Sequence, residues 1–190
     1  MAKAALMSRI GYRIMAGTMA LARRGPALEQ RLRASGVHDG QTVLDYACGP
    51  GYYSVLAASL VGPAGRVIAL DIQPAAVAMT AARARARGDV NVATVVSDRA
   101  TGLPDASVDL VLLYDAIAGI ADRRGVLAEL DRVLKPGGDL SVWVEHRDPL
   151  FTIPLITENS RFVLRERHGD ILNFSRAQGR TDRPAGAAPE

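Results

Sequence analysis

Cysteine is almost absent from this chain: Cys48 is the single thiol among 190 residues, which excludes an internal disulfide and leaves the redox compartment open. Histidine is scarce as well. His38, His146 and His168 stand far apart, and no His, Cys or acidic cluster has the spacing of a metal site, so no metal is expected. No internal repeat is present, and no long apolar run either. The stretch that begins at Ile14 comes nearest, but it contains Gly17 and Thr18 and falls short of the ~20 apolar residues that a bilayer-spanning helix needs.

What is present is a hydrophobic content of 48%, enough for one full core in a chain too short for a second domain. The formal net charge of +3 hides an asymmetry. Residues 1 to 33 hold Lys3, Arg9, Arg13, Arg23, Arg24, Arg31 and Arg33 against Glu29 alone, so the remainder is net acidic. The first residues imitate a signal peptide, with charges at Lys3, Arg9 and Arg13 and a cleavage-like Ala20-Leu21-Ala22, but the glycine and threonine in the short apolar run argue against one. Residues 4 to 23 read instead as an amphipathic helix. Met7, Ile10, Ile14, Met15 and Met19 supply adaptable apolar contact, and Arg9 and Arg13 lie one turn apart on another face.

Strand and helix patterns alternate from there on. Pro26 opens a helix to about Ala34, and Thr42 to Tyr46 is a buried strand. A helix using Val55, Leu56 and Leu60 is stopped by Gly62-Pro63-Ala64-Gly65, and Arg66 to Asp71 is the second strand. Pro74 begins a helix that ends at Gly88, followed by a strand over Val90 to Val96 and another over Asp109 to Tyr114. Val126, Leu127, Leu130, Val133 and Leu134 share one face of a helix from Arg123; Lys135-Pro136-Gly137-Gly138 ends it, and Asp139 to Glu145 forms the fifth strand. Arg161 to Arg167 and Ile171 to Ser175 break the rhythm as a hairpin. The expected fold is α/β: a Rossmann-like seven-stranded sheet, mostly parallel, with an antiparallel edge hairpin and helices on both faces. Residues 1–35 are expected to form a helical lid, 36–176 the cofactor-binding domain and 177–190 a disordered tail.

The chemistry concentrates in Val43-Leu44-Asp45-Tyr46-Ala47-Cys48-Gly49-Pro50-Gly51, where a carboxylate closes an apolar strand four residues before a glycine-bracketed turn. A dinucleotide fingerprint also uses glycines to bring backbone to its ligand, but it cradles a pyrophosphate, which Asp45 would repel. S-adenosylmethionine carries a sulfonium and an ammonium and no phosphate, so the same carboxylate attracts it while Gly49 and Gly51 permit close approach. Cys48 reads as a small apolar residue packed under the turn.

Val43 to Ser54, together with Val67 to Asp71, Ser97-Asp98, Leu103 to Asp109 and Val133 to Gly138, resembles the class I S-adenosylmethionine-dependent methyltransferases. Within them the chain is most similar to the type 11 branch that includes quinone-biosynthesis C-methyltransferases. The resemblance covers about residues 36 to 146 and rests on the order of five motifs. It implies S-adenosyl-L-methionine as cofactor and a cytoplasmic enzyme. Asp71, 20 residues after Gly51, then accepts the ribose hydroxyls, and Ile72 packs on the adenine. Asp98 accepts the adenine exocyclic amine, and the Arg99 backbone amide donates to the ring. The single thiol argues against an arsenic methyltransferase. Tyr114-Asp115 lacks the Pro-Pro that amino-methylating nucleic-acid enzymes carry there, which disfavours nucleic acid as acceptor.

The expected reaction is in-line methyl transfer to a small-molecule acceptor, in which the protein supplies alignment and water exclusion. If the acceptor loses a proton, Tyr114, Asp115, Glu145 and His146 are the candidate bases at strand ends, with Tyr114 and His146 taken as the catalytic pair and His146 favoured because an unperturbed imidazole titrates at about 6.5. Core packing is an equal reading of the Tyr114 ring. Residues 147 to 160 and the N-terminal helices are what is left to roof the acceptor. So small a roof leaves room for peripheral membrane contact through the N-terminal helix or for a homodimer. Two alternatives remain: a non-catalytic S-adenosylmethionine-binding or membrane-associated partner protein, and a nicotinamide oxidoreductase. Asp45, and Ser54 where a third glycine would be needed, argue against the second.

Overall fold

A computed structural model describes residues 26–145 and 148–177. The helix expected at 4–23, His146, Arg147 and the tail beyond Ala177 lie outside them. The described elements are α1 (Pro26–Ala34), β1 (Thr42–Tyr46), α2 (Tyr52–Val61), β2 (Arg66–Asp71), α3 (Pro74–Arg87), β3 (Val92–Val96) and β4 (Val108–Tyr114), then a 3-10 turn (Ile117–Gly119), α4 (Arg123–Val133), β5 (Leu134–Trp143), α5 (Pro149–Thr157), β6 (Phe162–His168) and β7 (Ile171–Arg176).

One seven-stranded sheet runs in the order β3-β2-β1-β4-β5-β7-β6. The first five strands are parallel, and β7 pairs antiparallel with both β5 and β6. The expected sheet and edge hairpin are therefore present. Val43, Leu44, Val67, Ile68, Val111 and Leu112 are buried, because parallel central strands are covered on both faces. One core cluster joins Leu44, Tyr46, Ile117, Leu127 and Ile156 on the side of α4 and α5. The other joins Val43, Leu28, Leu32, Ala57, Leu112 and Trp143 on the side of α1 and α2, and α3 packs on α2, β2 and β3. Strand alternation thus sends Asp45 and Tyr46 to opposite faces.

Local chemistry sets the helix ends. Asp122 caps α4 by accepting from the Gly125 amide at 2.9 Å, and its apolar stripe, Val126, Leu127, Leu130 and Val133, is fully buried. Pro74 opens α3, and Gly88 closes it in the left-handed conformation, its amide returning to the carbonyls of Ala84 and Arg85.

Two elements differ from expectation. β5 begins at Leu134, not after the glycine pair: Val108 pairs with Leu134 and Leu110 with Asp139, so Lys135 to Gly138 bulge out of a continuing strand. Lys135 Nζ bonds both oxygens of Asp109 at 2.8 and 2.9 Å, and Asp109 also accepts the Thr42 amide at 2.8 Å, which ties the bulge to the sheet. The second difference is α5, a helix inside the stretch to which the sequence assigned no element. Asp148 caps it through the Leu150 amide at 2.8 Å and Pro149 starts it, whereas Pro154 in its middle hides the helical pattern. At the other end of the domain, Ala177 extends the hairpin, donating its amide to Arg161 O at 2.8 Å.

Candidate functional site

The chain reverses direction across the sheet between β1 and β4, so the crevice beyond their carboxyl ends is where an α/β sheet binds its ligand. Asp45 reaches this rim from β1 at 2% exposure. Its Oδ2 accepts the Ser54 hydroxyl at 2.5 Å, and Ser54, itself buried, stands in the first turn of α2. The positive end of that helix and a charge-assisted hydrogen bond together hold a carboxylate beneath the loop. By sequence alone, Ser54 argues only against a third glycine. No sequence signal marks that role, because it depends on the carboxylate nine residues earlier.

Asp71 ends β2 and is 7% exposed. Oδ2 accepts the Gly49 amide at 2.9 Å and Oδ1 the Gln73 amide at 2.8 Å. Burial raises its pKa above the ordinary carboxylate value, and the backbone amides of Gln73, Gly49 and Ile72 oppose that rise. A carboxylate offers about four lone-pair sites, so two amides leave capacity for a pair of hydroxyl donors. The Asp71 geometry fits a ribose diol. Ile72 follows it, half-buried.

The loop between these acids turns through left-handed conformations at Ala47, Gly49 and Gly51, with φ of 64°, 56° and 81°. At Ala47 a non-glycine residue takes a conformation that costs about 1–2 kcal/mol. The loop is braced from α3: Thr80 Oγ1 donates to Gly49 O at 3.1 Å and Arg83 Nε to Pro50 O at 3.1 Å. A Cβ on Gly51 would lie 2.5 to 2.8 Å from the Thr80 side chain. Thr80 was not singled out in the sequence, because a threonine in mid-helix carries no signal of the loop it touches. Cys48 is buried, its thiol 3.7 Å from Thr80 Oγ1 and pushed up by burial and then by Asp45, so it packs as expected.

Beyond β3 the Ser97 amide continues to Asp71 O at 3.1 Å, and Asp98 is exposed. The Arg99 amide turns back to Ser97 Oγ at 3.3 Å, while its guanidinium pairs with Asp122 at 2.9 Å. Thr101 is buried and bonds Glu129 Oε1 through its amide at 2.9 Å and its hydroxyl at 2.6 Å. The structure thus brings Asp45, Gly49, Gly51, Asp71 and Ile72 together around one loop, with Asp98 and Arg99 on its neighbour.

Tyr114 takes the packing role. Its hydroxyl lies 3.2 Å from Ser141 Oγ and 3.5 Å from Arg31 O, and its ring meets Tyr53 edge-on with centroids 4.9 Å apart. Tyr114 pairs with Trp143 whereas Ser141 pairs with Leu112, so the side chain leans back along the sheet, away from the rim. Burial raises its pKa far above the ordinary value. Asp115 at the rim accepts the Glu145 amide at 3.3 Å; both residues are exposed, and His146 lies outside the described residues. Among the described residues no cluster of His, Cys, Asp and Glu is placed to hold a metal.

The family described as Methyltransferase domain matches residues 37–170. The chain belongs to that family, among the class I S-adenosylmethionine-dependent methyltransferases, whose cofactor the Asp71 and Asp45 geometry fits. Its curated relatives include the ubiquinone/menaquinone biosynthesis C-methyltransferase UbiE of Pasteurella multocida, 36% identical over 110 residues that make up 57% of this chain and 41% of that protein. The UbiE of Klebsiella pneumoniae is 37% identical over 57% of this chain and 44% of its own length, so the chain spans less than half of these relatives. Among solved structures, a SAM dependent methyltransferase from Aquifex aeolicus shares 26% identity at a TM-score of 0.67, over 77% of this chain and 86% of that one. A TehB-like SAM-dependent methyltransferase from Corynebacterium glutamicum is 17% identical with the same TM-score of 0.67, over 88% of this chain and 97% of that one, and shares the fold.

Proposed function

We infer that this protein transfers the methyl group of S-adenosylmethionine to a small-molecule acceptor. The observation that carries the reading is the pair of buried carboxylates, Asp45 and Asp71, on either side of a glycine-bracketed loop. A pyrophosphate at that loop would meet two negative charges, whereas a sulfonium, an ammonium and a ribose diol meet acceptors. The bound cofactor supplies an already activated methyl on sulfur. Asp71 anchors the nucleoside, Asp45 and its Ser54 partner keep negative charge beneath the loop, and the rim excludes water and aligns the acceptor.

An acceptor that loses a proton needs a base at the rim. His146 keeps that proposed role, with Asp115 and Glu145 as the other candidates, while the packing of Tyr114 favours a structural part. The relatives' names make a carbon of a quinone-type ring the first acceptor to test. Leu150 and Phe151, 67% and 70% exposed at the start of α5, favour an apolar acceptor or a membrane that presents one, and a homodimer would cover them equally. Among the described residues no helix is long and apolar enough to cross a membrane.

Calorimetry tests the donor directly. Heat from S-adenosylmethionine and S-adenosylhomocysteine and none from NAD or NADP is expected, and heat from NAD alone would sink the assignment. Incubation with methyl-labelled donor and a cell extract then identifies what acquires the label.

A further inference from the structure

Asp98, the acid proposed to read the adenine amine, sits on a loop with little of its own to hold it. Its carboxylate has no hydrogen bond or ion pair among the described residues, and its neighbours Ser97 and Arg99 are fastened elsewhere. The contact that reaches Asp98 itself comes from β1, past β2: Tyr46 donates its hydroxyl to the Asp98 carbonyl at 3.1 Å. The Tyr46 ring is 4% exposed, packed with Leu44, Leu70 and Ile117 in the core. Its hydroxyl is the part of the side chain that bonds the loop after β3.

We propose that Tyr46 is a positioning residue for base recognition: by holding the backbone of Asp98 it aims the carboxylate at the base and sets selectivity for adenine over a 6-oxopurine. The inference rests on the donor reading above. Adenine presents an amine where hypoxanthine presents a carbonyl oxygen; a carboxylate accepts from the first and repels the second. That discrimination needs the carboxylate held in place, since a swinging side chain loses the bond to the amine and relieves the repulsion alike. Burial keeps Tyr46 a neutral donor, its pKa raised first by desolvation and then by the charges of Asp98 and Glu129.

The test is calorimetric titration of wild type, Tyr46→Phe, Asp98→Asn and the double variant with S-adenosylhomocysteine and its inosine counterpart. The ring stays in Tyr46→Phe, so folding is kept and a thermal melt checks it. Wild type should prefer the adenine ligand by at least about tenfold, and Tyr46→Phe should bind that ligand about 3- to 10-fold more weakly. The inosine ligand should change less than about twofold, so the preference falls. In the Asp98→Asn background, Tyr46→Phe should lower the preference no further, because the two residues act as one unit. Equal losses for both ligands, or a full further drop in that background, would leave Tyr46 as packing and overturn the proposal. A wild type that binds both ligands equally also overturns it while sparing the donor reading. A wild type that binds neither overturns both.

Discussion

Asp71 carries two tasks at once, which makes its removal informative. It is the proposed acceptor for the ribose, and it also latches the Gly49 and Gln73 amides. Asp71→Ala should weaken the donor by about 1.5–3 kcal/mol, the loss expected for hydrogen bonds to a charged group. Titration with S-adenosylhomocysteine measures this, and an unchanged dissociation constant would show the motif alignment to be wrong. Gly51 makes a second residue-scale case. It holds φ of 81° and an added Cβ would overlap Thr80, whereas Gly88 holds φ of 76° with nothing within 4 Å. Gly88→Ala should therefore cost about 1 kcal/mol of backbone strain, and Gly51→Ala a further ~1–3 kcal/mol of overpacking. Urea unfolding of the two variants separates strain from overlap; equal midpoints would mean that Thr80 moves aside freely. The glycines and Asp71 were legible because a close approach leaves its mark in residue type. Ser54, Thr80 and Tyr46 were not, since their roles depend on what lies nine, 31 and 52 residues away along the chain.

At the scale of elements, the loop after β3 is fastened to α4. Glu129 accepts the amide and hydroxyl of Thr101, and Arg132 bonds both Glu129 and Asp105. The Arg132 hydrogen bond and those from Thr101 outweigh burial and lower the Glu129 pKa from 4.5 to about 2. A depressed carboxylate pKa adds stability that is complete above the unfolded value and disappears as pH falls through the folded one. The advantage of wild type over Glu129→Gln should therefore be full at pH ~5 and should vanish toward pH ~2, a window read from that shift. Urea unfolding at several pH values checks it, and a pH-independent difference would assign the effect to shape rather than charge. Element boundaries were least legible where one residue type carries two meanings. A Pro-Gly-Gly run signals a turn, but in β5 the strand resumes its pairing on the far side because Asp109 and Lys135 hold the bulge. In α5 an internal proline masks a helix that Asp148 and Pro149 start correctly.

For the whole molecule, two contacts set the direction of α1. Arg31 stacks over Trp143 at 4.1 Å, at the carboxyl end of β5, while Ala34 O accepts from Asn173, which pairs with Ser141 further down. Arg31 is therefore nearer than Ala34 to the rim that carries the site. Leu28 and Leu32 are buried in the same cluster as Val43, so α1 is part of the core. Deleting residues 1–24 should leave a folded protein whose donor affinity falls by less than about tenfold, ~1.4 kcal/mol. Methyl transfer should fall much further, because an open site admits water and loses acceptor alignment. Turnover and donor binding measured in the same truncated protein test this. Unchanged turnover would move the acceptor site to residues 147–160.

The order of strands and of the helices other than α5, the carboxylate before the glycine turn and the acid at the end of β2 were determined by sequence alone, because periodicity, turn chemistry and motif spacing are local properties of a chain. The tertiary structure decided which polar groups meet. It placed the Ser54 hydroxyl on Asp45, Thr80 against Gly49, and Tyr46 under Asp98, and it turned the Tyr114 hydroxyl inward to Ser141. Those contacts join residues from different elements, and only the packing of helices on a twisted sheet brings them within hydrogen-bond distance.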